Sequence, residues 1–91
     1  MTLTVYYSSV SGSTKMRKEQ DRIFSILDSQ KIYYIKVDIS QSSDDKDKMR
    51  KLASDKTALP PQICNGDSYC GDYAAFDAAV DNEQLKSFLQ A

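Results

Sequence analysis

The chain has no histidine among its 91 residues. A serine or threonine hydroxyl therefore has no imidazole beside it to take its proton, and without an adjacent base a hydroxyl does not ionise near neutral pH. Only two cysteines occur, Cys64 and Cys70. They are too few for a disulfide framework and lack the C-x-x-C spacing of a redox pair or zinc knuckle, so a reducing compartment and no bound metal are expected. An excess of one charge is missing too. Twelve basic residues against thirteen acidic ones give a net charge of -1, which leaves no broad electrostatic footprint of the kind that dominates nucleic-acid binding. No apolar run approaches membrane-spanning length, and Met1-Thr2-Leu3 leads directly into a strand-like stretch without a charged and then apolar leader. The expectation is a soluble, unexported protein with neither nucleic acid nor membrane as a partner.

What is present suits one compact α/β domain over residues 1–91. A hydrophobic content of 41% allows a chain of this size to bury roughly 60–65% of its unfolded surface. Leu3 to Tyr7 is rich in β-branched and aromatic residues and reads as a first strand, stopped by the loop "SSVSGS". From Thr14 to Asp28, Met16, Ile23, Phe24 and Leu27 recur at helical spacing, and Ser11 or Ser13 can cap that helix. Ile32 to Ile39 reads as a second strand, parallel to the first after a right-handed crossover. A helix capped by Ser42 or Ser43 follows, with Asp44, Asp45 and Asp47 near its positive end and Met49, Leu52 and Ala53 as its apolar stripe. Pro60-Pro61 ends that region. Gln62 to Cys70 reads as an antiparallel hairpin turning at Asn65-Gly66. In that register Cys64 faces Asp67 across the hairpin and Cys70 faces Pro61, so the thiols project from opposite faces and serve as buried packing groups. Asp72 can cap a helix bearing Tyr73, Phe76 and Val80, and a last short helix presents Leu85, Phe88 and Leu89. The order is βαβ-α-ββ-α around a four-stranded mixed sheet.

That order, with "VYYSSVSGST", "VDIS" and "LPPQICNGDSYCGDYAAFDAAVDNEQL", resembles the SH3-domain-binding glutamic-acid-rich-like proteins, a glutaredoxin-like family of the thioredoxin fold that lacks the C-P-Y-C site. The likeness spans essentially the whole chain. It departs from the family in two places: Ala58 stands where some members place a proline of a PxxP segment, and Glu19 and Glu83 are the only glutamates. A polyproline ligand needs more than one Pro60-Pro61 pair, so the SH3-binding label is not carried over. A shorter likeness, of "SVSGST" to the phosphate loop of flavodoxin-like proteins, would require a longer, five-stranded parallel sheet.

The resemblance implies where a glutaredoxin site would lie. Ser11 takes the place of the nucleophilic cysteine, Gly12 of the proline, Ser13 of the tyrosine and Thr14 of the resolving cysteine. Thiol exchange through this loop is therefore not expected. Pro61 matches the cis-proline that precedes the third strand, and Pro60 matches the residue whose backbone holds glutathione; proline lacks the N–H for one of those bonds. Ser8 replaces a lysine-like position, and Asp72-Tyr73-Ala74 replaces the segment that grips the γ-glutamyl end. The remnant groove would comprise Ser11, Gly12, Ser13, Thr14, Pro60, Pro61, Gly71 and Asp72, with Tyr69 and Tyr73 beside it as contacts for a partner. The resemblance thus implies a monomeric, non-enzymatic interaction or regulatory module, without cofactor, acting on redox or signalling proteins in the cytoplasm and also the nucleus. The alternative is a carrier that binds glutathione or another anion weakly at the free N–H groups of the first helix, near Lys15, Arg17 and Lys18.

Overall fold

The computed structural model describes residues 2–90. Its elements are β1 (Leu3–Tyr7), α1 (Thr14–Ser29), β2 (Ile35–Asp38), α2 (Ser43–Leu52), β3 (Gln62–Asn65), β4 (Ser68–Asp72), α3 (Tyr73–Asp81) and α4 (Leu85–Leu89). The sheet runs β2-β1-β3-β4, with β1 parallel to β2 and antiparallel to β3. Two antiparallel pairings in four strands exclude the all-parallel flavodoxin sheet.

Strand alternation divides the core in two. Leu3 and Val5 of β1 and Ile63 of β3 point to one face, where Ile23 and Leu27 of α1, Phe76 of α3, and Leu85 and Leu89 of α4 cover them. Tyr6 and Cys64 point to the other face, against Ile39, Met49 of α2 and Ala58. The larger cluster has three helices over it and the smaller has one, which fits the lengths of apolar stripe that α1 and α2 offer.

Two sequence expectations need correction. The turn of the hairpin is Gly66-Asp67, with Asn65 opposite Ser68 and Cys64 opposite Tyr69. Gly66 at φ 61 occupies the first central position, where the primed two-residue turns require a positive φ, and this frees Asn65 to remain in the strand. Asn65 is buried and its side-chain amide donates to the carbonyls of Leu89 (2.9 Å) and Gln90 (3.1 Å), so it holds the end of α4. Cys70 then falls beside a register shift between Ile63 and Cys64, not opposite Pro61. The thiols still separate by face, Cys64 buried in the α2 cluster and Cys70 against the α1 cluster but only half-buried, and both are free.

The second correction is at β2, which begins at Ile35, not at Ile32. Lys31 has φ 57, the Ile32 amide returns to the Leu27 carbonyl, and Tyr34 stacks on Phe24 with its hydroxyl donating to Asp28 (2.9 Å). Packing on α1 thus takes Ile32 and Tyr34 away from the ladder. Of the two serine pairs that the sequence offers as caps, Ser13 and Ser42 are the ones used.

Candidate functional site

The loop between β1 and α1 is fixed from beneath by Gln20, a polar residue on the same helix face as Met16, Ile23 and Leu27. Gln20 is buried; its Oε1 accepts from the Ser8 N–H (2.9 Å) and its Nε2 donates to the Ser8 carbonyl (3.1 Å). One side chain thereby satisfies both backbone groups where the strand ends. On the other side Asp38 accepts from the N–H and hydroxyl of both Ser9 and Ser40, tying this loop to the one after β2. Burial pushes the Asp38 carboxyl up, but the bonds from Ser40 and Ser9 outweigh it and hold the group well below the usual carboxylate range.

The hydroxyls that replace the thiols serve the backbone. Ser11 Oγ accepts from the Ser13 N–H (3.1 Å), and Ser13 Oγ accepts from the Met16 N–H (3.2 Å). Of the four orphan N–H groups at the start of α1, these two are satisfied, leaving those of Thr14 and Lys15 for water or a ligand. Gly12 is exposed, and a Cβ there would meet nothing within 4 Å. The loop therefore does not need glycine for close approach to a phosphate.

Across from the loop lie Pro60 and Pro61, both buried and joined by a cis peptide bond. Gln62 is clamped behind them: its Nε2 donates to the Leu59 carbonyl (2.7 Å) and its Oε1 accepts from the Tyr69 hydroxyl (2.6 Å). Between this segment, the start of α1 and the start of α3 is an open groove of about 480 Å³. Ser13, Pro60, Pro61, Asp72 and Tyr73 line it, with Lys15 of the candidate anion site and Met16, and so do Glu19, Asp55 and Thr57, which no motif singled out. One lysine against three carboxylates is a poor reception for an anion such as glutathione.

The remaining expected residues do not all meet there. Ser11 and Gly12 face a second groove on the far side of Met16 and Pro60. Gly71 is buried beneath Phe88: at φ 154, a Cβ would stand 2.8 Å from Phe88 Cε1 and 2.9 Å from Ala75 Cβ. Thr14 is exposed at the helix start, lining neither groove. Asp72 caps α3 through the Ala75 N–H (3.0 Å). Tyr73 is half-buried, and its hydroxyl accepts from Arg22, which also pairs with Asp77 and so bridges α1 to α3. Tyr69, on the edge strand, is more exposed but occupied with Gln62. Cys64 and Cys70 line neither groove, and burial raises both thiols above their ordinary value, Cys64 to about 11. Among the described residues no cluster of histidine, cysteine and carboxylates suits a metal, and no helix is long and apolar enough to cross a membrane.

This geometry agrees with the comparisons to known proteins. The family model described as "SH3-binding, glutamic acid-rich protein" matches residues 1–91. The SH3 domain-binding glutamic acid-rich protein homolog of Drosophila melanogaster is 38% identical over 104 residues, covering 99% of this chain; the chain spans 65% of that relative's length. Among solved structures, C. albicans actin interacting protein Aip5 superposes with a TM-score of 0.79 at 18% identity, covering 97% of this chain and 87% of that one. The buckwheat glutaredoxin–glutathione complex gives a TM-score of 0.70 at 18% identity, over 97% and 76% of the two chains. These structural likenesses establish the glutaredoxin-type thioredoxin fold.

Proposed function

The chain belongs to the SH3-binding, glutamic acid-rich protein family, and from that premise we propose that it works as a non-catalytic glutaredoxin-like module that binds protein partners through the face carrying the β1–α1 loop. The observation that carries this reading is the use made of the loop hydroxyls. Ser11 and Ser13 bond the helix backbone where a glutaredoxin would present sulfur, while both thiols sit in the sheet, protonated and away from the groove. A thiolate attacking a disulfide has no counterpart there. The module works in a reducing compartment, cytoplasm or nucleus, on redox or signalling proteins.

Polyproline recognition is not part of this proposal. Pro60 and Pro61 are the only prolines, and both are buried. An SH3 domain needs an exposed, extended polyproline ridge. Actin is one partner worth screening by co-sedimentation, since a solved neighbour of this fold is titled an actin interacting protein.

The test is reduction of a mixed glutathione disulfide by the purified protein, with chemical-shift mapping of reduced glutathione alongside. We expect no turnover and only weak, salt-sensitive shifts near Thr14 and Lys15. Turnover at glutaredoxin-like rates that persists in Cys64→Ser and in Cys70→Ser would overturn the non-catalytic reading. Tight, localised shifts without turnover would favour the glutathione carrier.

A further inference from the structure

The second groove has a composition of its own. It lies between the β1–α1 loop, α2 and the segment entering β3, on the opposite side of Met16 and Pro60 from the glutathione-type groove. Val10 and Leu59, 75% and 60% exposed, are the most exposed large aliphatic side chains among the described residues, and both line it. Single exposed aliphatics are ordinary on a soluble protein. Two of them, from separate loops 49 positions apart by number (59 − 10), bordering one depression floored by Met16 and Ile39, are less so.

Charge sets the character of the rim. Lys46 and Arg50, one turn apart on α2, line this groove, and no aspartate or glutamate does. Neither forms an ion pair within 4.0 Å among the described residues. Arg50 Nε donates to the Ala58 carbonyl (3.1 Å), which fixes the guanidinium at the rim and leaves its other donors open. Asp47 and Asp55 lie near Arg50 on the outer side of α2, lining a different depression.

We infer that this apolar, cation-rimmed groove formed by Val10, Met16, Ile39, Lys46, Arg50 and Leu59 docks an acidic peptide segment that inserts an aliphatic side chain between Val10 and Leu59. The inference rests on the interaction-module reading and names the chemistry of the partner segment. An aliphatic anchor covers the two exposed side chains, while flanking carboxylates meet Lys46 and the free donors of Arg50. The neighbouring glutathione-type groove, with Glu19, Asp55 and Asp72 against Lys15, would repel the same segment, which gives the docking a direction.

The probe is a fluorescently labelled short peptide of glutamates around a central leucine, titrated into the intact chain. Matched peptides carry lysine or glutamine in place of glutamate, or serine in place of leucine. The acidic leucine peptide should bind, with shift changes confined to the β1–α1 loop, α2 and Leu59, and should weaken as salt is raised. Lys46→Glu, at an exposed side chain without an ion pair among the described residues, should weaken it about tenfold. Leu59→Ser and Val10→Ser should do likewise without loss of folding, since both side chains are already in solvent. Equal binding of the lysine peptide, no binding of any peptide, or shifts mapping to Glu19 and Asp72 would overturn the inference. Those outcomes leave the non-catalytic reading standing, because that reading fails only on disulfide turnover.

Discussion

At the scale of single residues, the side chains that shape the candidate site are those that complete the backbone's hydrogen bonds. Gln20 is 4% exposed and makes two bonds to Ser8. Gln20→Ala should lower stability by about 1–3 kcal/mol, because both Ser8 groups would be left unpaired or would need water in the gap; urea denaturation measures this. The sequence could not reveal the role. The spacing of Gln20 with Met16, Ile23 and Leu27 marks it as a polar residue on the buried face, but the partner, Ser8, is twelve positions away in a loop that no helical pattern connects to it. The two glycines of the expected groove, Gly12 in the loop and Gly71 in β4, separate in the same way. Gly71→Ala would drive a methyl into Phe88 and Ala75 at a backbone angle that side chains rarely adopt, costing about 1–3 kcal/mol. Gly12→Ala meets open space and should change stability by less than about 0.5 kcal/mol, although the resemblance places both glycines in the same groove. A thermal melt of each variant distinguishes them.

Secondary-structure elements were more legible, and what was missed lies at their ends. The periodicities of α1 and α2 marked the helices, and the capping chemistry narrowed each start to two serines. Which serine caps depends on the backbone path of the loop, which Gln20 fixes at Ser8 and Asp38 at Ser9 and Ser40. The hairpin shifted by one residue because Asn65 is worth more inside β3, bound to the α4 carbonyls, than in the turn. The beginning of β2 moved because Tyr34 packs on Phe24. The N-terminus of α1 carries a prediction of its own. Ser11→Cys would place a thiol where Ser11 Oγ now accepts from the Ser13 N–H, beside the positive end of a 16-residue helix. Its thiolate should therefore form more readily than that of a free cysteine, and a thiol-reactive dye should label it faster than the wild type at neutral pH. Efficient glutathione-dependent turnover should not return, since Pro60 offers no N–H and the groove carries Glu19, Asp55 and Asp72. A variant titrating like a free cysteine would mean that the dipole does not reach this position.

The whole molecule joins two unequal half-cores through one sheet, and its architecture followed from βα alternation, the proline pair and the hairpin signal. The candidate grooves were only partly visible, because Glu19, Asp55 and Thr57 converge from segments with no motif among them, and Lys46 and Arg50 read as the wet face of α2. The same global arrangement sets a pH profile. Burial raises Tyr6, Tyr69 and Cys70 above their ordinary values, raises Cys64 from 9.0 to about 11, and, with the hydrogen bond to Asp28, raises Tyr34 from 10.0 to about 12. Between the ordinary and the raised values the folded chain holds more protons than the unfolded one. The stability these groups contribute is complete below about pH 9 and should fall as pH climbs through 9 to 12. Asp38 acts in the opposite direction. Burial works against its carboxylate, but the Ser40 and Ser9 bonds dominate, so its contribution is present above the ordinary value of 3.8 and is lost as pH falls below it. No histidine exists to add a transition between these flanks. Denaturation midpoints measured from acid to alkali should therefore decline on both sides. Cys64→Ala should flatten the alkaline limb between about pH 9 and 11, after allowance for its constant packing loss, and Ser9→Ala with Ser40→Ala should flatten the acid limb. If Cys64→Ala lowers stability equally at every pH, the thiol ionises as freely in the folded chain as in the unfolded one, and its burial against α2 is not what holds its proton.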